Sequence, residues 1–399
     1  VRFLTLRDVE VSGKRVLVRE DFNVPLKDGK VADETRIDAA LETLRHLRSN
    51  DARIVVMSHL GRPDGKRDPK LSLRPVADRL SAKLGVAVKF ADDCVGPQVE
   101  AQTRALKDGE VLLLENLRFH PEEEANDEEF ARRLARNGDL YINDAFGTAH
   151  RAHASTEGVA HLLPAVAGFL MQKELDALAR LVDHPVQPFV CAIGGAKVQD
   201  KVGVFDFLLE RVAAFVIGGG MANTFLAAKG IDVGKSLRDP DLSHAKHIIA
   251  AAGRRGVPLH LPIDVVVADA FDADETAQIV SLDQIGDRMI LDIGPQTGEA
   301  YAAVLAGAKT IVFNGPMGVY EKGPYQSGTR AVLAAIAQAT KAGATSVVGG
   351  GDAAAAAHIL GFEQEVTHVS TGGGATLEFL EGKSLPGVAA LEQAAEAAR

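Results

Sequence analysis

"EVLLLENLRFHPEEEANDEEFARRLARNGDLYINDAFGTAHRAH", residues 110–153, holds two short apolar runs separated by an acidic stretch. The runs "EVLLLEN" (110–116) and "DLYIND" (139–144) are continuous rather than alternating, which is how strands covered on both faces read. The acidic run 122–130 reads as the solvated start of a helix. Each strand is followed by cationic residues: Arg118 and His120 after the first, His150, Arg151 and His153 after the second. Ligands of open parallel sheets bind beyond the carboxyl ends of the strands. These ends therefore raise a question: what do cations collect for in a chain of net charge −10?

The same rhythm runs through all 399 residues. In the first half further strand-like runs are 14–20, 53–58 and 86–90, with helical patterns at 33–49 and 74–84. The second half has strand-like runs at 189–195, 213–220, 258–269, 288–294, 310–315 and 346–351. Alternating strands and helices of this kind predict an α/β fold with parallel sheets. The length suits about two or three domains. A long amphipathic pattern within 162–188, closed by prolines, reads as a connecting helix between two doubly wound, Rossmann-like domains.

Several functions are disfavoured by composition. No stretch approaches the roughly 18 uninterrupted apolar residues of a membrane span, and the charged start shows no secretory signal. Cys94 and Cys191 are too few and too distant in sequence for a disulfide framework or zinc site; they read as buried thiols of a cytoplasmic protein. The acidic balance argues against nucleic-acid binding. No G-x-G-x-x-G occurs, which disfavours a dehydrogenase. "GIDVGKS" (230–236) has one residue too few for a phosphate-binding P-loop and follows a helical stretch.

Two constellations remain. In the first half, strand ends carry Asp21 and Asn23, His59 and Arg62, Arg118 and His120, then His150, Arg151 and His153, with Arg36 opening the first helix. Converging arginines suit a small ligand bearing phosphate and carboxylate, which guanidinium groups bind bidentately. Asp21 and Asn23 can take its hydroxyl. In the second half the strand ends carry glycine: "IGGAKVQDK" (193–201), "IGGGMAN" (217–223), "FNGPMGVYE" (313–321), "VGGGDAA" (348–354) and "STGGGAT" (370–376). Glycine lets backbone amides approach phosphate oxygens. Lys197 and Lys201, four apart at a helix opening, reach the same side. Asp352 is placed to hold Mg2+, and Glu321 to accept from ribose hydroxyls. Together the halves imply phosphoryl transfer with closure.

These motifs, in this order from "VLVREDFNVPL" (16–26) to "LPGVAALE" (385–392), resemble phosphoglycerate kinases. The resemblance implies reversible, Mg2+-dependent transfer between 1,3-bisphosphoglycerate and ADP, giving 3-phosphoglycerate and ATP. It implies a glycerate-binding domain over 1–170, with 385–399 returning to it, and a nucleotide-binding domain over 171–384. Asp21, Asn23, Arg36, His59, Arg62, Arg118 and Arg151 would bind the glycerate ligand. Lys197, Lys201, Gly219, Asn314, Glu321, Gly349, Gly350, Gly351 and Asp352 would serve the nucleotide, with Asp352 the metal ligand. Arg36 and Lys197 would flank the phosphoryl group, beside amides of Gly350, Gly351, Gly373 and Gly374. Glu174 and His368 match the family's hinge. The expected state is a cytoplasmic monomer acting on small molecules. Four positions depart from the family's usual residues: Glu20, Gln296, Phe313 and Ala353. A non-catalytic two-domain protein binding anions or nucleotides is the alternative; it leaves the lysine and glycine loops with Asp352 unexplained.

Overall fold

The valine- and leucine-rich runs of the first half become strands because both of their faces are covered. The computed structural model describes residues 3–399. In chain order these strands are β1 (Arg15–Arg19), β2 (Leu26–Lys27), β3 (Lys30–Val31), β4 (Arg53–Met57), β5 (Val88–Phe90), β6 (Val111–Leu113), β7 (Leu140–Asn143) and β8 (Ala165–Ala167). All but the β2–β3 hairpin join one sheet in the order β5-β6-β4-β1-β7-β8. Its pairings are parallel, with Val16 opposite both Ile54 and Leu140. Helices α1 (Thr35–Ser49), α2 (Arg74–Leu84), α3 (Pro97–Arg104), α4 (Pro121–Glu124) and α5 (Glu128–Ala135) connect the strands. Val16, Val18, Ile54 and Val56 from the sheet meet Ile37, Leu44 and Leu47 of α1 and Val76 and Leu80 of α2 in one core. The acidic run is not a solvated helix start throughout. It splits between α4 and α5, and Glu123 is buried.

Helix α6 (Phe169–Val182) follows, and the chain divides within it. One unit runs to Asp176 and regains Ser384–Arg399; the other is Ala177–Lys383. The returning segment forms a C-terminal helix, Pro386–Ala397, packed on β8.

The second unit has strands β9 (Phe189–Ile193), β10 (Ala214–Ile217), β11 (Leu259–His260), β12 (Asp264–Ala268), β13 (Gln278–Ser281), β14 (Met289–Ile293), β15 (Thr310–Asn314), β16 (Thr345–Val348) and β17 (His368–Val369). Its main sheet, β11-β10-β9-β15-β16-β17, is parallel. The run 258–269, read above as one strand, is two. Pro262, which has no N–H for a ladder, stands between β11 and β12. Strand β12 pairs antiparallel with β13 and β14 in a separate sheet. The helices are α7 (Val202–Leu208), α8 (Gly219–Ala228), α9 (Ser243–Arg255), α10 (Pro295–Ala306), α11 (Ser327–Lys341), α12 (Gly351–Ile359) and α13 (Gly374–Leu380).

Candidate active site

In the first unit β6, β4, β1 and β7 are consecutive neighbours, so their carboxyl ends form one edge. Arg19 ends β1 and is wholly buried. Its Nε donates to Ser155 Oγ at 2.8 Å, and Ser155 in turn donates to the buried Glu123 at 2.5 Å. Arg19 also donates to the Glu20 carbonyl and meets His59 Nδ1 at 3.0 Å. Arg118, on a short turn fixed by Asn116 Oδ1 at 3.0 Å, donates to the Gly61 carbonyl at 3.0 Å. Its nearest carboxylate, Glu124, is 3.7 Å away. Arg36 spans Asp21 Oδ1 at 3.0 Å and the Asn23 carbonyl at 2.9 Å. Asn23 Oδ1 accepts from the Gly61 amide at 2.8 Å. Arg151 is half-buried, its Nε 3.4 Å from His150 Nε2. Arg62 is exposed and has no side-chain bond or ion pair among the described residues.

Positive charge here exceeds its neutralisation, and the histidines register it. Burial, then Arg19 and Arg118, push His59 well below the usual imidazole range. Burial, then Arg118 and Arg19, take His153 down to about 4. Both rings are neutral at pH 7. Arg19 can only donate, so His59 Nδ1 accepts and its Nε2 carries the hydrogen. Of the cations expected in "AHRAH", His153 therefore supplies none at neutral pH; the charge comes from arginine.

In the second unit, loops leave the carboxyl ends of β9, β10, β15, β16 and β17. A cleft of about 570 Å3 is lined by Gly195, Gly219, Glu321 and Asp352, with Leu237 and Phe271 among its apolar walls. Lys201 Nζ donates to the carbonyls of Gly194 at 2.8 Å and Asn314 at 2.7 Å, and burial pushes its ammonium down to about 8. Gly315 has φ +114°, and a Cβ there would lie 2.3 Å from the Gly194 carbonyl and 2.8 Å from Lys201 Nζ; no larger residue fits. Asn314 is buried and donates to the Gly349 carbonyl at 2.7 Å. Gly350, at φ +103°, turns the chain into α12, whose first residues are Gly351 and the exposed Asp352. Gly373, φ +51°, does the same for α13, which begins at Gly374.

The sequence profile for phosphoglycerate kinase matches residues 6–383. A phosphoglycerate kinase of Moorella thermoacetica is 56% identical over 392 residues, covering 98% of this chain and 99% of that protein. One from Chloroflexus aurantiacus is 55% identical over 395 residues, covering 98% and 99%. The solved phosphoglycerate kinase of Coxiella burnetii superposes with TM-score 0.91 at 42% identity, covering 98% of this chain and 99% of the other. This chain belongs to the phosphoglycerate kinase family. It is therefore a glycolytic phosphotransferase whose acceptor is a carboxyl group.

Against that family frame, two placements differ from the reading of spacing. Lys197 and Lys201 do not share a helix: α7 begins only at Val202, Lys201 is its cap, and Lys197 stands exposed in the loop before it. The loop is held by Asp239, a residue the motifs did not reveal. Its buried carboxylate accepts from the amides of Val198 at 3.3 Å and Gln199 at 2.9 Å. Arg19 was also missed, although a strand otherwise built of valine and leucine and ending in arginine is a visible signal. Glu174 and His368 are buried, on α6 and β17. Of the departures from the family's usual residues, Phe313 and Ala353 are buried and Gln296 is exposed. The Gln296 amide caps onto Asp264 at 3.0 Å.

Proposed function

We propose that the chain catalyses reversible transfer of a phosphoryl group between 1,3-bisphosphoglycerate and ADP, yielding 3-phosphoglycerate and ATP. The first unit holds the glycerate ligand through Asp21, Asn23, Arg36, His59, Arg62, Arg118 and Arg151. The second holds the nucleotide through Lys197, Lys201, Gly219, Asn314, Glu321 and the 349–352 loop. The observation that carries this reading is the arginine set on adjoining strand ends, short of carboxylate partners and therefore in need of an anion.

In the ATP-consuming direction the nucleophile is the ligand's own carboxylate, ionised at neutral pH with an ordinary pKa of about 4. No general base is needed, and none is assigned. What remains is positioning and neutralisation of charge on the transferring group. Arg36 is suited to that: Asp21 and the Asn23 carbonyl fix one edge of its guanidinium, while its side chain keeps 39% exposure for a phosphoryl oxygen. Lys197, exposed and without a side-chain partner among the described residues, is the matching cation of the second unit. Amides of Gly350, Gly351, Gly373 and Gly374 complete the cradle. His59 serves the ligand as a neutral Nε2–H donor.

Asp352 fits Mg2+: it is an exposed oxygen donor on the wall of the nucleotide cleft, in the first turn of α12. Held there, the ion would offset charge on the phosphate groups. Two free, buried cysteines suit a cytoplasmic enzyme. No described helix is long and apolar enough to cross a membrane. We place the enzyme as a cytoplasmic monomer acting on small molecules, with no nucleic-acid partner.

Steady-state kinetics and nucleotide titration of Arg36→Ala test the assignment. Turnover is expected to fall by roughly 10²–10³-fold, the scale of losing one preorganised charge donor, while Mg-ADP affinity holds. Equal loss of both would refute the role given to Arg36.

A further inference from the structure

Apart from the residues assigned above to substrate and nucleotide, three metal-ligating side chains converge in the first unit. Asp93 and Cys94 lie in the turn between β5 and α3, and His120 lies between Arg118 and α4. One donor atom from each can be chosen so that all three lie within 4.8 Å of one another. His120 Nε2 and Asp93 Oδ1 are already 2.7 Å apart. The turn is tied down on several sides. Asn137 Nδ2 donates to the Cys94 carbonyl at 3.0 Å, the Glu115 amide reaches the Asp93 carbonyl at 3.4 Å, and the Cys94 amide donates to Asp93 Oδ1 at 2.7 Å. Phe130 stands against the His120 ring, centroids 5.2 Å apart. Cys94 is wholly buried, while Asp93 and His120 are partly exposed and open the cluster to solvent.

We infer that Asp93, Cys94 and His120 form a binding site for one divalent metal ion of the zinc or cobalt class, with solvent as the fourth ligand. Thiolate, imidazole and carboxylate are the donors such ions take, at about 2.3, 2.0–2.1 and 2.0–2.2 Å. Tetrahedral bonds of those lengths separate the ligand atoms by roughly 3.3–3.7 Å. The His120–Asp93 pair, now at 2.7 Å, must open by less than about 1 Å, and the Cys94 sulfur, within 4.8 Å of both, must close by no more than about 1.5 Å. The donor set discriminates against Mg2+, which prefers oxygen and water. It is therefore separate in chemistry and place from Asp352, and the inference does not rest on the reading of the substrate sites.

Binding has a proton balance. The Cys94 thiol loses its proton to solvent to form the sulfur–metal bond, and the hydrogen that His120 Nε2 donates to Asp93 moves by way of solvent to Nδ1, which frees Nε2 for the metal. Occupancy should therefore strengthen with rising pH. Arg67 near Asp93 and Arg133 near Cys94 work against a second cation, while Glu123 favours it.

The test is titration of the intact, reduced protein with Co2+, read by absorbance. One equivalent should produce a thiolate-to-cobalt charge-transfer band and the visible bands of a tetrahedral site. Zinc should abolish them stoichiometrically, and millimolar Mg2+ should not. Cys94→Ser should remove the charge-transfer band, His120→Gln should weaken cobalt binding at least tenfold, and Cys191→Ser should change neither. Absence of the band in the parent overturns the proposal, as does its survival in Cys94→Ser or its loss in Cys191→Ser. Should Cys94→Ser fail to fold, His120→Gln decides: unchanged affinity rejects the site.

Discussion

Glu20 and Asp144 are both wholly buried, and neither Glu20 oxygen nor Asp144 Oδ2 has a hydrogen-bond partner among the described residues. Two buried acids within reach of one another's charge disfavour double ionisation. Asp144 Oδ1 spends its capacity on the Leu170 amide at 2.9 Å and the Met171 amide at 3.4 Å, at the start of α6. Burial, then the Asp144 charge, raise the Glu20 carboxyl well above its ordinary range; burial raises Asp144 to about 6. Raised acids bind more protons folded than unfolded, so this stability is complete below about pH 4 and is lost as pH rises through the folded values. Glu20→Gln keeps the side chain's shape and removes its titration. Urea unfolding from pH 5 to 8 should show a shallower decline for this variant, with a gain at pH 8 of roughly 1–3 kcal/mol, one pKa unit being about 1.4 kcal/mol. Parallel pH profiles would contradict a raised Glu20 carboxyl. That Glu20 is unusual was legible from the chain. Its partner, far along the sequence, was not, because nothing in local pattern reports which strand lies beside β1.

At the scale of elements, the continuous apolar runs announced β1, β4, β7, β9 and β15, since burial on both faces leaves no polar position. The same rule concealed how β12 and β14 pair. A run such as "DVVVA" reads alike whether its neighbours are parallel or antiparallel, and the pairing of β12 with β13 and β14 is set by partners distant in sequence. The glycine loops were legible because phosphate approach and positive φ exclude side chains. The support given by Asp239 was not, since a buried aspartate next to proline looks like any turn residue. Helix α6 joins the two sheets in the chain, and we propose that Glu174 upon it and His368 of β17 couple ligand occupancy to closure. Small-angle scattering with both ligands present should show Glu174→Gln failing to reach the parent's compact state. Equal radii of gyration for the two proteins would end that proposal.

The whole molecule is acidic, with net charge −10, yet it concentrates arginines on one edge of its first unit. A local cationic basin in an acidic protein draws small anions inward. In the proposed assignment the two units divide the chemistry: guanidinium groups read the acid substrate, and backbone amides with lysine read the nucleotide. Such a division requires that damage to one unit's site spare the other's ligand. Calorimetric titration of Arg151→Ala with 3-phosphoglycerate and, separately, with Mg-ADP tests this most directly. Loss of a charge-assisted hydrogen bond, worth about 1.5–3 kcal/mol, should weaken 3-phosphoglycerate roughly 10–100-fold and leave Mg-ADP unchanged. Undiminished 3-phosphoglycerate binding, or an equal weakening of both ligands, would contradict the division of roles.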